Sequence, residues 1–139
     1  ILDYQVEDQL FDMLKSNKMA FHAYMPLERG LLTGDASLDM TCQKGDARDE
    51  EAWWKPERRM AVLGFLKDLS GIAQQYNCSL SQLSIAYLLC RGDFINVICG
   101  MRKTKHVEEN AHAADIIVSQ DDLQRIRSLS EKLQHSINS

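Results

Sequence analysis

Residues 19–34 read MAFHAYMPLERGLLTG, and this stretch decides the fold of the 139-residue chain. Between residues 19 and 25, Met19, Phe21, Ala23 and Met25 fall on one side, and Ala20, His22 and Tyr24 on the other. This period of two is typical of a strand, which Pro26 ends because proline lacks a backbone N–H. A glycine-containing loop follows over residues 26–56. A loop of that length in a compact domain is expected to be functional or disordered.

A second strand is predicted at residues 94–99, FINVIC, which are apolar and rich in β-branched side chains. Gly100 follows this run directly. Helices are predicted from apolar periodicity over residues 6–16, 57–76, 79–90, 104–114 and from 119 onwards. Strands separated by helices favour parallel pairing through crossover connections.

Local signals predict where several of these helices begin and end. Ser79 with Gln82 three residues later forms a capping box at the start of the third helix. Asn77 is expected to end the preceding helix in a left-handed turn. The last helix carries Leu123, Ile126, Leu129 and Leu133 on its apolar stripe. Its final half-dozen residues are expected to fray.

Two parallel strands cannot form a stable sheet alone, because their outer edges stay unpaired. The predicted helices also carry more apolar surface than two strands can cover. The sequence therefore predicts part of a larger assembly. The first residue, Ile1, is not Met, which suggests a processed chain or a fragment.

Composition excludes several classes of protein. The chain has 45% hydrophobic and 26% charged residues, with no uninterrupted apolar run long enough for a membrane span. A net charge of −4 without a basic run disfavours nucleic-acid binding.

The cysteines, Cys42, Cys78, Cys90 and Cys99, show neither C-x-x-C nor zinc spacing and are interpreted as reduced thiols. With no signal-peptide pattern, a cytoplasmic protein is expected.

Four segments resemble a known family. AYMPLERGLLTG, residues 23–34, is similar to the pattern A-Y-S-P-L-x-x-G-L-L-T-G at the end of strand seven in aldo-keto reductases. VICGMRKTKHVEEN, residues 97–110, resembles that family's V-I-P-G-x-R-x-x-x-x-x-x-E-N around strand eight. SLSQLSIAY at 79–87 and AADI at 113–116 match in the same order, so the resemblance covers nearly the whole chain.

The resemblance implies an α/β fold, namely the C-terminal part of a (β/α)8 TIM barrel with strands seven and eight and their helices. Residues 1–139 would form one partial barrel that begins just after strand six. His22 and Tyr24 would point into the barrel, while Phe21 and Ala23 would face the helices. The ends of both strands would lie at the C-terminal face, where barrel enzymes place their chemistry.

The resemblance also implies that the chain binds NADPH, without a Rossmann fingerprint. Tyr24 would stack on the nicotinamide, and Arg102 would grip the 2′-phosphate. Met25 stands where the family often has Ser, which removes one hydroxyl donor. The implied cofactor-binding residues are Tyr24, Pro26, Leu27, Gly30, Leu31, Gly100, Met101, Arg102, His106, Glu109 and Asn110.

The family's catalytic group, a tyrosine with lysine, aspartate and histidine partners, lies in the first half of the barrel. No catalytic residue is therefore assigned here, and the parent reaction would be hydride transfer from NADPH to an aldehyde or ketone. The expected partner is the N-terminal half of the barrel, in the same or another chain. The alternative is a truncated, non-catalytic, nucleotide-responsive binding or scaffolding module. No metal site is predicted.

Two features of the long loop stay open between alternatives. Arg48 could close over the cofactor, although an ion pair with Asp46 is favoured. Trp53 and Trp54 could cover a substrate, although anchoring of the loop to the barrel is favoured.

Overall fold

A computed structural model describes residues 1–138 and confirms the predicted order of helices and strands. The helices and strands are α1 (Gln5–Ser16), β1 (Phe21–Tyr24), α2 (Pro56–Gln75), α3 (Leu80–Leu89), β2 (Ile95–Ile98), α4 (Thr104–His112) and α5 (Gln120–Asn138). Short 3-10 helices add Glu28–Thr33, Ala52–Trp54 and Ala113–Asp115. The long loop is therefore partly structured.

The two strands pair in parallel, as predicted. Phe21 lies opposite Ile95, and Tyr24 lies opposite Ile98. Each strand has four residues, which is shorter than the predicted 19–25 and 94–99. The Met19 N–H donates to the Leu14 carbonyl and so still belongs to the end of α1, while Met25 turns to a left-handed φ of 54°.

The two faces of this sheet have different environments. Ala23 and Ile95 are buried in a small core with Phe11 and Leu14 of α1. On the opposite face Tyr24 is 72% exposed, and this face also carries the exposed His22, Asn96 and Ile98. The predicted alternation is thus confirmed for residues 21–24, whereas Met19 is half-exposed outside the strand. One face of the sheet has no covering layer within the described residues.

The main core lies among the helices rather than against the sheet. It joins α2, α3 and α5 to the 3-10 helix after β1, with these side chains almost fully buried: Leu31, Leu32, Val62, Leu69, Ile72, Leu83, Tyr87, Leu123 and Ile126. Burial of a side chain of this size contributes roughly 1.5–3 kcal/mol. This helical layer therefore supplies most of the hydrophobic stabilisation.

The predicted helix ends are confirmed. After α2, Asn77 has φ 49°, and the Cys78 N–H donates to the Ala73 carbonyl at 3.0 Å, as in a Schellman motif. At α3, the Gln82 N–H donates to the Ser79 hydroxyl while the Gln82 side chain accepts from the Ser79 N–H, which completes the capping box.

The prediction that the C-terminus frays is wrong as far as the described residues extend, since α5 continues to Asn138. Leu133 is buried and Ile137 packs against the main core. The Gln134 side-chain amide donates to the Leu2 carbonyl at 2.7 Å. These contacts hold the last turns of α5 against the first residues of the chain. Ser139 lies outside the described residues.

A charged cluster fixes α1 to the helical layer. The Glu7 carboxylate, only 8% exposed, lies 2.6 Å from the Arg91 guanidinium and 3.4 Å from that of Arg127. It also accepts the hydroxyl hydrogen bond of the buried Tyr87. Burial, followed by the Glu7 charge, raises the pKa of that hydroxyl. The cluster joins three segments far apart in the sequence, so its stability contribution is non-local.

Replacement of Glu7 by Gln is predicted to lower the free energy of unfolding by about 2 kcal/mol, because two arginines lose their buried counter-charge. The matched control is Asp8→Asn, since the Asp8 carboxylate pairs with the same Arg127 but is 63% exposed. That change is expected to cost less than about 0.5 kcal/mol. Urea denaturation followed by circular dichroism measures both values. Equal losses in the two variants would contradict the structural role given to Glu7.

Candidate functional site

The two segments that carry the predicted site residues leave the sheet at the same edge. Tyr24 and Ile98 are paired at the carboxyl ends of their strands. The chain then continues into residues 25–34 after β1 and into residues 99–110 after β2. Parallel pairing therefore brings together two segments that are separated by about 70 residues in the sequence.

The segment after β1 is a tight, partly left-handed turn. Positive φ values occur at Met25, Glu28, Arg29 and Gly30. No atom lies within 4 Å of where a Gly30 Cβ would stand, so this side of the turn is open. The Gly30 N–H, however, already donates to the Leu27 carbonyl at 2.9 Å. The missing side chain of Gly30 thus leaves space beside the turn. The Gly30 N–H itself is already used in a hydrogen bond within the turn.

The other predicted residues of this turn differ in accessibility. The side chains of Pro26 and Leu31 are buried, with Leu31 in the main core, and Leu27 is half-buried. Leu31 is 0% exposed as a whole residue, so neither its side chain nor its backbone is open to a ligand in this chain. These side chains anchor the turn, while Tyr24 at the strand end exposes its ring.

The segment after β2 is open and positively charged. Gly100, Met101 and Arg102 are exposed, and no atom lies within 4 Å of a Cβ built on Gly100. Helix α4 begins at Thr104, and no side chain caps it at Lys103. Uncapped N–H groups and the helix dipole favour an anion at such an end. This end of α4 therefore combines basic side chains with a favourable helix terminus.

Helix α4 presents the remaining predicted residues. His106, Glu109 and Asn110 are half-buried, on the side of α4 that faces the rest of the chain. The Gln82 amide of α3 donates to the Glu109 carbonyl at 3.1 Å. The sequence predicted Gln82 only as a capping residue, because nothing in the spacing indicates a bond to a residue 27 positions away.

Part of the long loop packs beside the turn after β1. The Arg48 Nε lies 3.0 Å from both carboxylate oxygens of Asp46, and its guanidinium lies 5.0 Å from the Trp54 ring centroid. The hydrogen bonds from Arg48 lower the pKa of Asp46 to about 2, and the charge of Arg102 adds to this effect. The favoured ion pair is confirmed, and Asp46 is electrostatically coupled to Arg102.

Both tryptophans pack against the main core, Trp53 half-buried and Trp54 buried, which confirms the favoured anchoring of the loop. Trp54 is buried, and its indole N–H donates to the Glu28 carbonyl at 3.1 Å. Arg29 forms an ion pair with Glu51 at 2.7 Å. Burial, followed by the Glu51 charge, raises the pKa of the Glu28 carboxyl. These contacts fix the end of the loop to the turn after β1.

Arg59 is a loop anchor that the sequence analysis missed. Its side chain is buried in α2 and donates to the carbonyls of Leu38 and Met40, both at 2.8 Å. Carbonyl groups in an irregular segment receive no hydrogen bond from a helix or a sheet. The Arg59 guanidinium supplies these hydrogen bonds instead. An arginine in an amphipathic helix is ordinarily expected in solvent, so no sequence signal identified it.

Other features bear on the predicted chemistry. All four cysteines are half-buried, and none forms a disulfide. Burial raises the pKa of the Cys78 and Cys99 thiols.

Within residues 1–138, no group of three His, Cys, Asp or Glu side chains converges as a metal site requires. In the same range, no helix combines the length and apolarity needed to cross a bilayer.

A cleft of about 450 Å³ lies away from the predicted site. Its lining includes Lys15, Lys18, Asp93 and Phe94, which lie before the start of the two strands. The predicted site residues Tyr24, Gly100, Met101 and Arg102 instead lie exposed on the surface.

Comparison with known proteins identifies the family. The sequence model described as "Aldo/keto reductase family" matches residues 1–131. The chain is 31% identical over 134 residues to the NADH-specific methylglyoxal reductase of Escherichia coli, covering 96% of this chain and 40% of that protein. It is 32% identical over 113 residues to an aldo-keto reductase of Schizosaccharomyces pombe whose name specifies NADP(+), covering 81% and 33%.

A solved structure shows the same fold. The glycerol dehydrogenase of Gluconobacter oxydans superposes with a TM-score of 0.82 at 19% identity, over 90% of this chain and 38% of that one. The chain spans between one third and two fifths of the length of these relatives. The family match over almost the whole sequence decides the assignment. The chain belongs to the aldo/keto reductase family.

Proposed function

We propose that this chain is the dinucleotide-binding, C-terminal segment of an NADPH-dependent reductase of aldehydes or ketones. The observation that carries the proposal is the parallel pairing of β1 with β2, which places Tyr24 and the basic segment around Arg102 at one edge. An aromatic ring and an anion-binding helix end on the same edge fit the two ends of a dinucleotide.

We further propose that β1 and β2 are strands seven and eight of the barrel. Two observations support this assignment. The chain spans between one third and two fifths of the length of these relatives, and the sheet face with His22 and Tyr24 lacks a covering layer in the described residues. The remaining strands, in the same chain or a partner chain, would cover this face and supply the catalytic group. An aldehyde or ketone substrate would then bind between the two parts.

The nicotinamide end of the cofactor would be held by Tyr24. Its ring is 72% exposed at the carboxyl end of β1, so a planar ring has access to it. Stacking on an aromatic face fixes which side of the nicotinamide is presented. Tyr24 would thus orient the cofactor and exclude water from one of its faces.

The adenosine end would be held by the segment after β2. Arg102 is exposed and suits a 2′-phosphate, because a guanidinium donates paired hydrogen bonds to phosphate oxygens. The uncapped α4 N-terminus at Thr104 adds N–H donors, and Gly100 leaves room for close approach. His106, Glu109 and Asn110 would face the adenine side.

When bound, NADPH supplies a hydride from C4 of its nicotinamide ring. The residues of this chain would bind and orient the cofactor, and would not transfer a proton to the substrate. The proton donor would lie in the remaining barrel. This division is consistent with the absence of a catalytic assignment among the predicted residues of this chain.

The preference for NADPH over NADH rests on Arg102. The names of the two relatives differ on this point, since one specifies NADH and the other NADP(+). The charge of Arg102 is the smallest of the effects that lower the pKa of Asp46. We propose a moderate preference for NADPH.

The first of two predictions from the proposed function concerns cofactor selection. Arg102→Ala is expected to raise the Kd of NADPH roughly tenfold or more, because a charged hydrogen bond to the 2′-phosphate is lost, and to leave the Kd of NADH nearly unchanged. The measurement is a fluorescence titration of the 139-residue chain. Arg125→Ala, which removes an exposed arginine on α5, is the charge-matched control. Equal weakening of both cofactors would contradict the assignment of Arg102.

The second prediction separates the two ends of the cofactor. Tyr24→Ala is expected to weaken NADPH several-fold by loss of stacking, while Tyr24→Phe retains the ring and binds nearly as wild type. Neither variant should change the affinity for 2′,5′-ADP, which lacks the nicotinamide. A loss of 2′,5′-ADP binding in Tyr24→Ala would place this ring at the adenosine end and overturn the proposed orientation.

A further inference from the structure

We propose that Gln82 is a positioning residue for the dinucleotide, through the bond that it makes to α4. The inference rests on the proposed function, because it concerns the helix that would hold the adenosine end. It assigns a role to a side chain of α3 that lies in neither strand-end segment.

The Gln82 side chain serves two elements at once. Its Oε1 accepts the Ser79 N–H at 3.0 Å, which caps α3. Its Nε2 donates to the Glu109 carbonyl at 3.1 Å, in the middle of α4. Because the capping box already fixes the rotamer of Gln82, the second bond is made by a side chain with little remaining freedom. The N-terminus of α3 therefore holds α4 at one defined point.

Helix α4 has few other anchors. None of its residues, Thr104–His112, is buried, whereas each of the other α-helices has at least two buried side chains. Its N-terminus lacks a side-chain cap. The Lys105–Glu109 pair joins two residues of the helix itself, and the exposed His112–Asp115 contact reaches only the next turn of chain. The buried Ala113 fixes its C-terminal end. The Gln82 bond thus restrains the helix upstream of that point, where the ligand would bind.

The α4 residues that we propose for the adenosine end lie close to this restraint. His106 is one helical turn before Glu109, and Asn110 is the next residue. A shift of α4 would move these side chains together with the Thr104 end. Loss of the Gln82 bond is therefore expected to weaken binding at the adenosine end without changing any group that contacts the ligand.

Three variants separate the two functions of the side chain. Gln82→Glu keeps an acceptor for the Ser79 N–H but cannot donate to Glu109. Gln82→Met loses both bonds without adding charge. Ser79→Ala loses the hydroxyl half of the cap and leaves the bond to Glu109 in place. The full 139-residue chain is titrated with NADPH and with 2′,5′-ADP, and amide hydrogen exchange of α4 is measured without ligand.

Both Gln82 variants are expected to raise the Kd of NADPH and of 2′,5′-ADP by the same factor, roughly three- to tenfold, and to speed exchange across 104–110. Gln82→Glu should keep a wild-type thermal midpoint. Ser79→Ala should lower that midpoint and leave both Kd values unchanged. If Gln82 only stabilised the fold, both Kd values would instead rise in every variant whose thermal midpoint falls, including Ser79→Ala.

Other outcomes overturn one proposal or the other. Wild-type affinity in both Gln82 variants would overturn the positioning role, whatever the exchange of α4. Weakening by Gln82→Glu alone, abolished at high salt, would assign the effect to its added charge and also overturn it. If the wild-type chain binds neither NADPH nor 2′,5′-ADP, the proposed function fails. Unchanged exchange of α4 in the Gln82 variants would show separately that the bond does not hold the helix.

Discussion

The parallel pairing of β1 with β2 is the constraint on which the rest of the site depends. It spans only four residues on each strand, yet it joins segments about 70 residues apart. Parallel strands require a long crossover, and here α2 and α3 with the preceding loop provide it. Because both strands end at the same edge, the turn after β1 and the basic segment after β2 face the same space. The positions of the residues that we propose for cofactor binding therefore depend on this pairing.

A sheet of two strands is not stable by itself, so the stabilising contacts must come from elsewhere. The main core of α2, α3 and α5 provides them, and the turn after β1 inserts Leu31 and Leu32 into it. The Glu7 cluster and the bond from Gln134 to Leu2 then fasten the first residues of the chain to α5. The open sheet face is left accessible to the part of the barrel that we propose to cover it.

Local patterns predicted much of the fold and some of the site. The alternation of residues 19–25, the capping box at Ser79 and the left-handed Asn77 each depend on a few neighbouring residues, so the sequence contains them in full. The family resemblance located Tyr24 and Arg102. Long-range partners were not predictable in this way. Three features join side chains to groups at least 19 residues away: the hydrogen bonds of Arg59, the second bond of Gln82 and the Glu7 cluster.

The most direct test is a nuclear Overhauser measurement of backbone contacts in the 139-residue chain. The account predicts cross-peaks that link Ala23 with Val97 and Tyr24 with Ile98, as in the observed parallel register. A register shifted by one residue would turn His22 and Tyr24 toward α1 and reverse the two faces of the sheet. Such a shift, or the absence of contacts between the strands, would contradict the account, because the two site segments would no longer meet at one edge.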